Sequence, residues 1–182
     1  PSNTHLREIS GNLANCLNEA TVVAACSAPI NEYVNFLGTM FVKKGASGTG
    51  SSWSNAIGEL ADALVIAKKI NDTSAGKVKE IWVASGTYKP MYSPEDGANF
   101  GTNKGRENAF SLLNNVKLYG GFAGSESSFS QRILDTTNPT ILSGDIDNNN
   151  LLDNGNTYHV VVAAGVSSST VLDGFTIKLG NA

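Results

Sequence analysis

Oxygen donors are densest over residues 145–156, which read DIDNNNLLDNGN. Asp145, Asp147, Asn149 and Asp153 fall at the first, third, fifth and ninth places of a calcium loop. That spacing serves a hard Ca2+ ion, which takes roughly six to eight oxygen ligands on a flexible turn. Asn150 stands where such loops carry the sharp-turn glycine, and Asn enters left-handed backbone geometry at low cost. Asn156 stands where a bidentate Glu would complete the shell. The same string also reads as a solvated, Asn-rich corner loop. Acid/base or lyase chemistry on uronates needs a carboxylate base and a cation that neutralises the substrate carboxylate. Asp145, Asp147 and Asp173 could supply the first, and Lys117, Lys178 or Arg132 the second, but no spacing pairs them. A serine triad fails because no GxSxG is present and the histidines are His5 and His159. His159 sits in an apolar run beside Tyr158, where a hydrogen-bonded wall residue is the simpler reading. Among the aromatics, Trp53 and Trp82 fit a core, leaving Tyr88 and Tyr92, in the 86–97 loop, as candidates to stack on sugars.

The elements that must position these residues follow from composition and pattern. The chain has 182 residues, 41% apolar and 16% charged, with 19 Gly and a formal net charge of -3. Charge is below the roughly 25% of an average globular chain, and Gly, Asn and Ser fill the deficit. Lys and Arg are spread without a basic stripe, which removes phosphate-neutralising nucleic-acid binding. No apolar run approaches the roughly 20 residues of a membrane span. Cys16 and Cys26 have neither CxxC nor zinc spacing; in an oxidising compartment they close a short disulfide loop, in cytosol they are two thiols.

Residues 1–39 form a separate segment: Leu6, Ile9, Leu13, Leu17 and Ala20 recur at helical steps, and residues 21–26 switch to a strand-type run. It reads as a packed N-terminal cap or as a strand that adds to a neighbouring subunit. Residues 40–44 predict a strand, residues 45–52 a glycine loop, and residues 52–70 a helix with Trp53, Ile57, Leu60, Leu64 and Ala67 on its apolar face. Ser51, Ser52 and Ser54 are the N-cap candidates. The loop is no phosphate cradle, since Ser51 stands where the Lys of that motif belongs and Trp53 where a third glycine would be. From Glu80 onward short β-type runs alternate with Gly, Asn, Asp and Ser clusters, and Gly-Gly, Gly-Asp or Gly-Asn pairs close apolar runs at Gly120, Gly144 and Gly180. That long period, with no helices between strands and no tight Asn-Gly hairpin, predicts a mainly β fold: a parallel β-solenoid with an N-terminal helical cap.

Specific strings carry a resemblance. Residues 80–90 (EIWVASGTYKP), 116–126 (VKLYGGFAGSE), 140–147 (TILSGDID) and 172–182 (LDGFTIKLGNA), together with Phe41-Val42-Lys43, residues 50–56 (GSSWSNA) and Tyr158-His159-Val160-Val161, are similar to the start of secreted right-handed parallel β-helix surface proteins of Bacteroidetes. These are pectin-lyase-like and polymorphic-outer-membrane-protein-like. The resemblance spans residues 40–182 and implies export, commonly by type IX secretion, to the cell surface. In that compartment a Cys16–Cys26 disulfide is expected. The implied role is a non-catalytic structural or adhesive module showing loops to glycans, cells or neighbouring subunits. A polysaccharide-active lyase or hydrolase of the same fold is the alternative. The open end of the solenoid requires cover, from further coils or from a neighbouring copy stacked head to tail into a filament.

Overall fold

The computed structural model describes residue 35, residues 37–94 and residues 101–182. The expected cap, the strand-type run 21–26 and the Cys16–Cys26 disulfide lie outside the described residues. In chain order the regular elements are β1 (Thr39–Val42), α1 (Leu60–Thr73), β2 (Glu80–Ala84), β3 (Gly86–Tyr88), β4 (Phe110–Ser111), β5 (Lys117–Phe122), β6 (Thr140–Ser143), β7 (Val161–Val162), β8 (Val171–Asp173) and β9 (Thr176–Lys178), with 3-10 turns at Trp53–Asn55, Gly105–Glu107 and Phe129–Gln131. Every strand pairing is parallel.

The expected mainly β, right-handed parallel β-helix is corrected by this arrangement. The strands form three separate short sheets, ordered β1-β2-β5-β8, β3-β6-β9 and β4-β7, and the described residues do not close into a solenoid. Two physical reasons stand out. Strands of two to six residues separated by long irregular loops leave the sheets unjoined. The 14-residue α1 is also a full partner in the core, contributing Leu60, Leu64, Ile66, Ala67 and Ile70 and packing on β1 and β4.

Alternation along each strand sorts side chains into two layers. Inward, register stacks Met40 on Ile81, Leu118 and Leu172, and Tyr88 on Leu142 and Ile177. Outward, Phe41, Trp82 and Tyr119 line up with Asp173. This outer row is roofed by Trp53, Phe122 and Phe129 in edge and stacked contacts with centroids 4.7–6.2 Å apart. Trp53 and Trp82 therefore belong to an outer aromatic layer and not to the interior between helix and sheets.

The helix begins later than its apolar spacing predicts. Ile57 pairs in parallel with Val42, and the backbone of Phe41 and Lys43 bonds to Gly50 and Ile57, so the two ends of the 50–57 segment, on either side of the Trp53–Asn55 turn, cover the free edge of β1. Gly58 then passes so close to the chain that a Cβ would lie 2.2 Å from the Ala46 carbonyl oxygen. The N-cap is Glu59, without a side-chain cap bond, so Ser51, Ser52 and Ser54 do not cap α1.

Candidate functional site

The pairing of β3 with β6 sets Gly86 opposite Thr140 and Tyr88 opposite Leu142, which carries Lys89 to the start of the 145–156 loop. There Lys89 Nζ donates to Asp145 Oδ2 at 3.1 Å and to Asn148 Oδ1 at 2.8 Å. Asp145 is 2% exposed. Burial alone would raise its carboxyl, but the hydrogen bond and charge of Lys89, with the Asn150 amide, outweigh this and hold it below the usual carboxylate range. The backbone amides of Asn149 and Asn150 donate to its two oxygens. Lys89 was not legible as a partner, because only the register of two short strands brings it there.

The other loop donors meet around one amide. Asn149 Nδ2 donates to Asp147 Oδ2 at 2.9 Å and to Asp153 Oδ2 at 2.8 Å, while its Oδ1 accepts the Leu151 amide. Asn148 and Asn150 have φ of 68° and 60°, so Asn150 takes the left-handed turn that glycine makes in a calcium loop. Asn156 is buried and ties the loop inward: its Nδ2 donates to the Leu179 carbonyl and its Oδ1 accepts the Asp153 amide. The structure thus brings Asp147, Asn149 and Asp153 together and turns Asp145 toward Lys89. Among the described residues no three His, Cys, Asp or Glu side chains group in a metal-ligating arrangement. A cation on this loop would take oxygens from Asp147, Asp153 and a turned-over Asn149 amide, with Asp145 shared with Lys89.

Neither sugar-stacking candidate is displayed. Tyr88 is fully buried; its hydroxyl accepts the Lys44 amide at 3.0 Å and donates to the Ala84 carbonyl at 3.0 Å, and burial pushes its phenol well up. Tyr92 is half-buried against the core, and its hydroxyl donates to Asp62 Oδ1. The reason is local: residues 86–88 leave the loop to become β3, so Tyr88 points inward with Leu142.

The catalytic candidates are dispersed. Arg132 and Asp173 form an ion pair of 2.6 Å on the outer layer, with the guanidinium over Phe129 at 4.7 Å and Tyr119 at 5.2 Å. They hold the 123–139 segment to β5 and β8 and lie on the opposite side of the sheet from the inward column. Lys178 is exposed at the end of β9, His159 is exposed ahead of β7, and Lys117 stands in register with Glu80 and Val171.

Sequence reading missed two further polar devices. Glu126 receives the amides of Ala123, Gly124 and Ser125 on its carboxylate. Burial works against ionisation there, but those amides prevail and lower its pKa. Arg106 donates to the carbonyls of Asn156 and Asn181 and lies 4.2 Å from the Tyr158 ring centroid. Asparagines do the same work elsewhere: Asn35 Oδ1 accepts the Leu37 and Thr39 amides, and Asn115 Oδ1 accepts the Ser167 and Ser169 hydroxyls. They stand at corners, fixing backbone, as expected for short polar side chains. No family model, curated protein or solved structure matches the chain.

Proposed function

We propose that the chain is a non-catalytic extracellular structural or adhesive module, a rigid frame that shows fixed loops to glycans, cells or neighbouring copies. The observation that carries this reading is how its polar side chains are spent. Lys89, Asp145, Asn149, Asn156, Arg106, Glu126 and Asn115 each hold loop backbone or another loop residue in place. Groups committed in this way preorganise a binding surface, because little ordering remains to be done when a ligand arrives. No helix of the described residues is long and apolar enough to cross a membrane. The open strand edges at β7, β8 and β9 would be covered by additional strands or by a neighbouring copy.

Ca2+ on the 145–156 loop belongs to the same reading, since a cation there would lock the loop without chemistry. Glycan retention and polysaccharide turnover, measured on one panel of acidic polysaccharides with and without Ca2+, test the proposal. Retention without product supports it. Unsaturated or newly reducing ends would replace it with the polysaccharide-active alternative.

A further inference from the structure

Lys89 holds two partners of different kinds. Its Nζ lies 2.8 Å from the carboxamide oxygen of Asn148 and 3.1 Å from Asp145 Oδ2. The proposed role uses only the charge and the hydrogen bonds of these groups. Their chemical types also fit a reaction. An amine is a nucleophile, a carboxamide is an acyl group that can release ammonia, and a carboxylate beside both can carry protons between them.

The surroundings arrange the three groups. Asp145 is 2% exposed, and the Asn149 and Asn150 amides fix both of its oxygens. Its contact with Lys89 Nζ falls within the roughly 2.6–3.2 Å over which a positioned side chain passes a proton. Lys89 itself is drawn in, with its side chain 24% exposed. Asn148 stands in left-handed backbone, with φ of 68°. Its Nδ2 makes only a long 3.4 Å bond to the Ile146 carbonyl, so the nitrogen that would leave is held loosely. Rotation about the broad sp3–sp2 torsion at the end of the Asn148 side chain turns its carbonyl carbon toward Nζ. Asn148 lies at the surface, which gives released ammonia an exit.

We infer that Lys89 and Asn148 join through an isopeptide bond, with Asp145 as the catalytic residue. Asp145 takes a proton from the Lys89 ammonium and frees the Nζ lone pair to attack Asn148 Cγ. The Nζ–Cγ bond forms and the Cγ–Nδ2 bond breaks. Asp145 carries the two protons that Nζ gives up to the departing nitrogen, which leaves as ammonium. An ammonium side chain and a carboxamide become a secondary amide and a free ammonium ion, with no change of oxidation state and no co-reactant. The bond ties the residue after β3 to the corner loop 59 positions on. It goes beyond the proposed role, since a frame without it can still bind.

Intact-mass measurement and peptide mapping of the purified chain, fresh and after prolonged incubation at neutral pH, test it. The expected chain is lighter than its sequence by one ammonia, and mapping yields a branched peptide that joins Lys89 to Asn148. Lys89→Arg keeps the charge but stays protonated, and Asn148→Ala removes the acyl group, so both keep the full sequence mass. Asp145→Asn, shown by circular dichroism to be folded, keeps it as well. A parent chain at full sequence mass after incubation overturns the inference, as does an ammonia loss that persists in Lys89→Arg or maps to another asparagine. Conversion undiminished in Asp145→Asn overturns the role given to that carboxylate. Glycan retention is read separately from mass, so this inference and the adhesive reading fail separately.

Discussion

Replacing Tyr88 by Phe removes one oxygen atom from a fully buried site. That oxygen accepts the Lys44 amide and donates to the Ala84 carbonyl, both at 3.0 Å, and so joins the end of β2 to the turn after β1. Without it the buried Ala84 carbonyl loses its hydroxyl donor and the part-buried Lys44 N–H loses its acceptor. Leaving a buried polar group without its partner costs about 1–3 kcal/mol. In a chain of this size each kcal/mol moves the melting temperature by about 2–4 °C. The expected fall is therefore between about 2 and 12 °C, read by thermal melts and by the urea midpoint at constant slope. Tyr158→Phe, at an exposed ring, is the control and stays within about 0.5 kcal/mol of the parent. A Tyr88→Phe protein as stable as that control would refute the assignment of Tyr88 to the frame, and loss of glycan retention at unchanged stability would return it to the binding surface.

Four further outcomes follow from the geometry. Gly120→Ala places a Cβ 2.4 Å from the Gly174 carbonyl oxygen and 2.9 Å from Thr140 Cβ, so β5 and its neighbours must shift, and denaturant unfolding should show a loss of about 1–3 kcal/mol. Asp173→Ala should cost more than Arg132→Met in the same assay, because the Arg132 side chain is 7% exposed and is stranded as a charge, whereas Asp173 at 45% can hydrate. Glu126 has a lowered pKa, so its contribution is present above the unfolded carboxylate pKa and is lost as pH falls through the folded value; Glu126→Gln should lower stability at neutral pH and flatten that acid limb. Calorimetry with Ca2+ should give heat and a raised melting temperature that Asp147→Asn removes, and absence of both in the parent protein ends the cation proposal.

Local pattern was readable to different depths. Thr140-Ile141-Leu142-Ser143 reads as a strand and is β6 in full, because a short β-branched and apolar run bounded by Pro139 and Gly144 has few alternatives. Helical spacing over Leu60, Leu64 and Ala67 located α1, but Trp53 and Ile57 share that spacing and serve other ends. Periodicity cannot tell a helical turn from a segment that tertiary pairing claims as an edge. The same limit explains the solenoid expectation: turn chemistry and parallel register belong to each strand pair separately, whereas closure depends on how long loops span between sheets. At the 145–156 loop, Asp147 and Asp153 both accept the Asn149 side-chain amide. Oxygen spacing could not show Lys89, far along the chain, taking Asp145. Tyr88 illustrates the converse, since three residues of β3 are too few to register against a Gly-rich background, and so an inward tyrosine passed for a loop one.

The central claim is that this frame binds without transforming what it binds. Its most direct test is incubation of the purified chain with acidic polysaccharides, with and without Ca2+, following unsaturated products and new reducing ends in the same samples whose retention on immobilised glycan is measured. The account predicts retention with product at the level of a protein-free control. Product that grows in proportion to protein concentration, and vanishes with heat-inactivated chain, would contradict it.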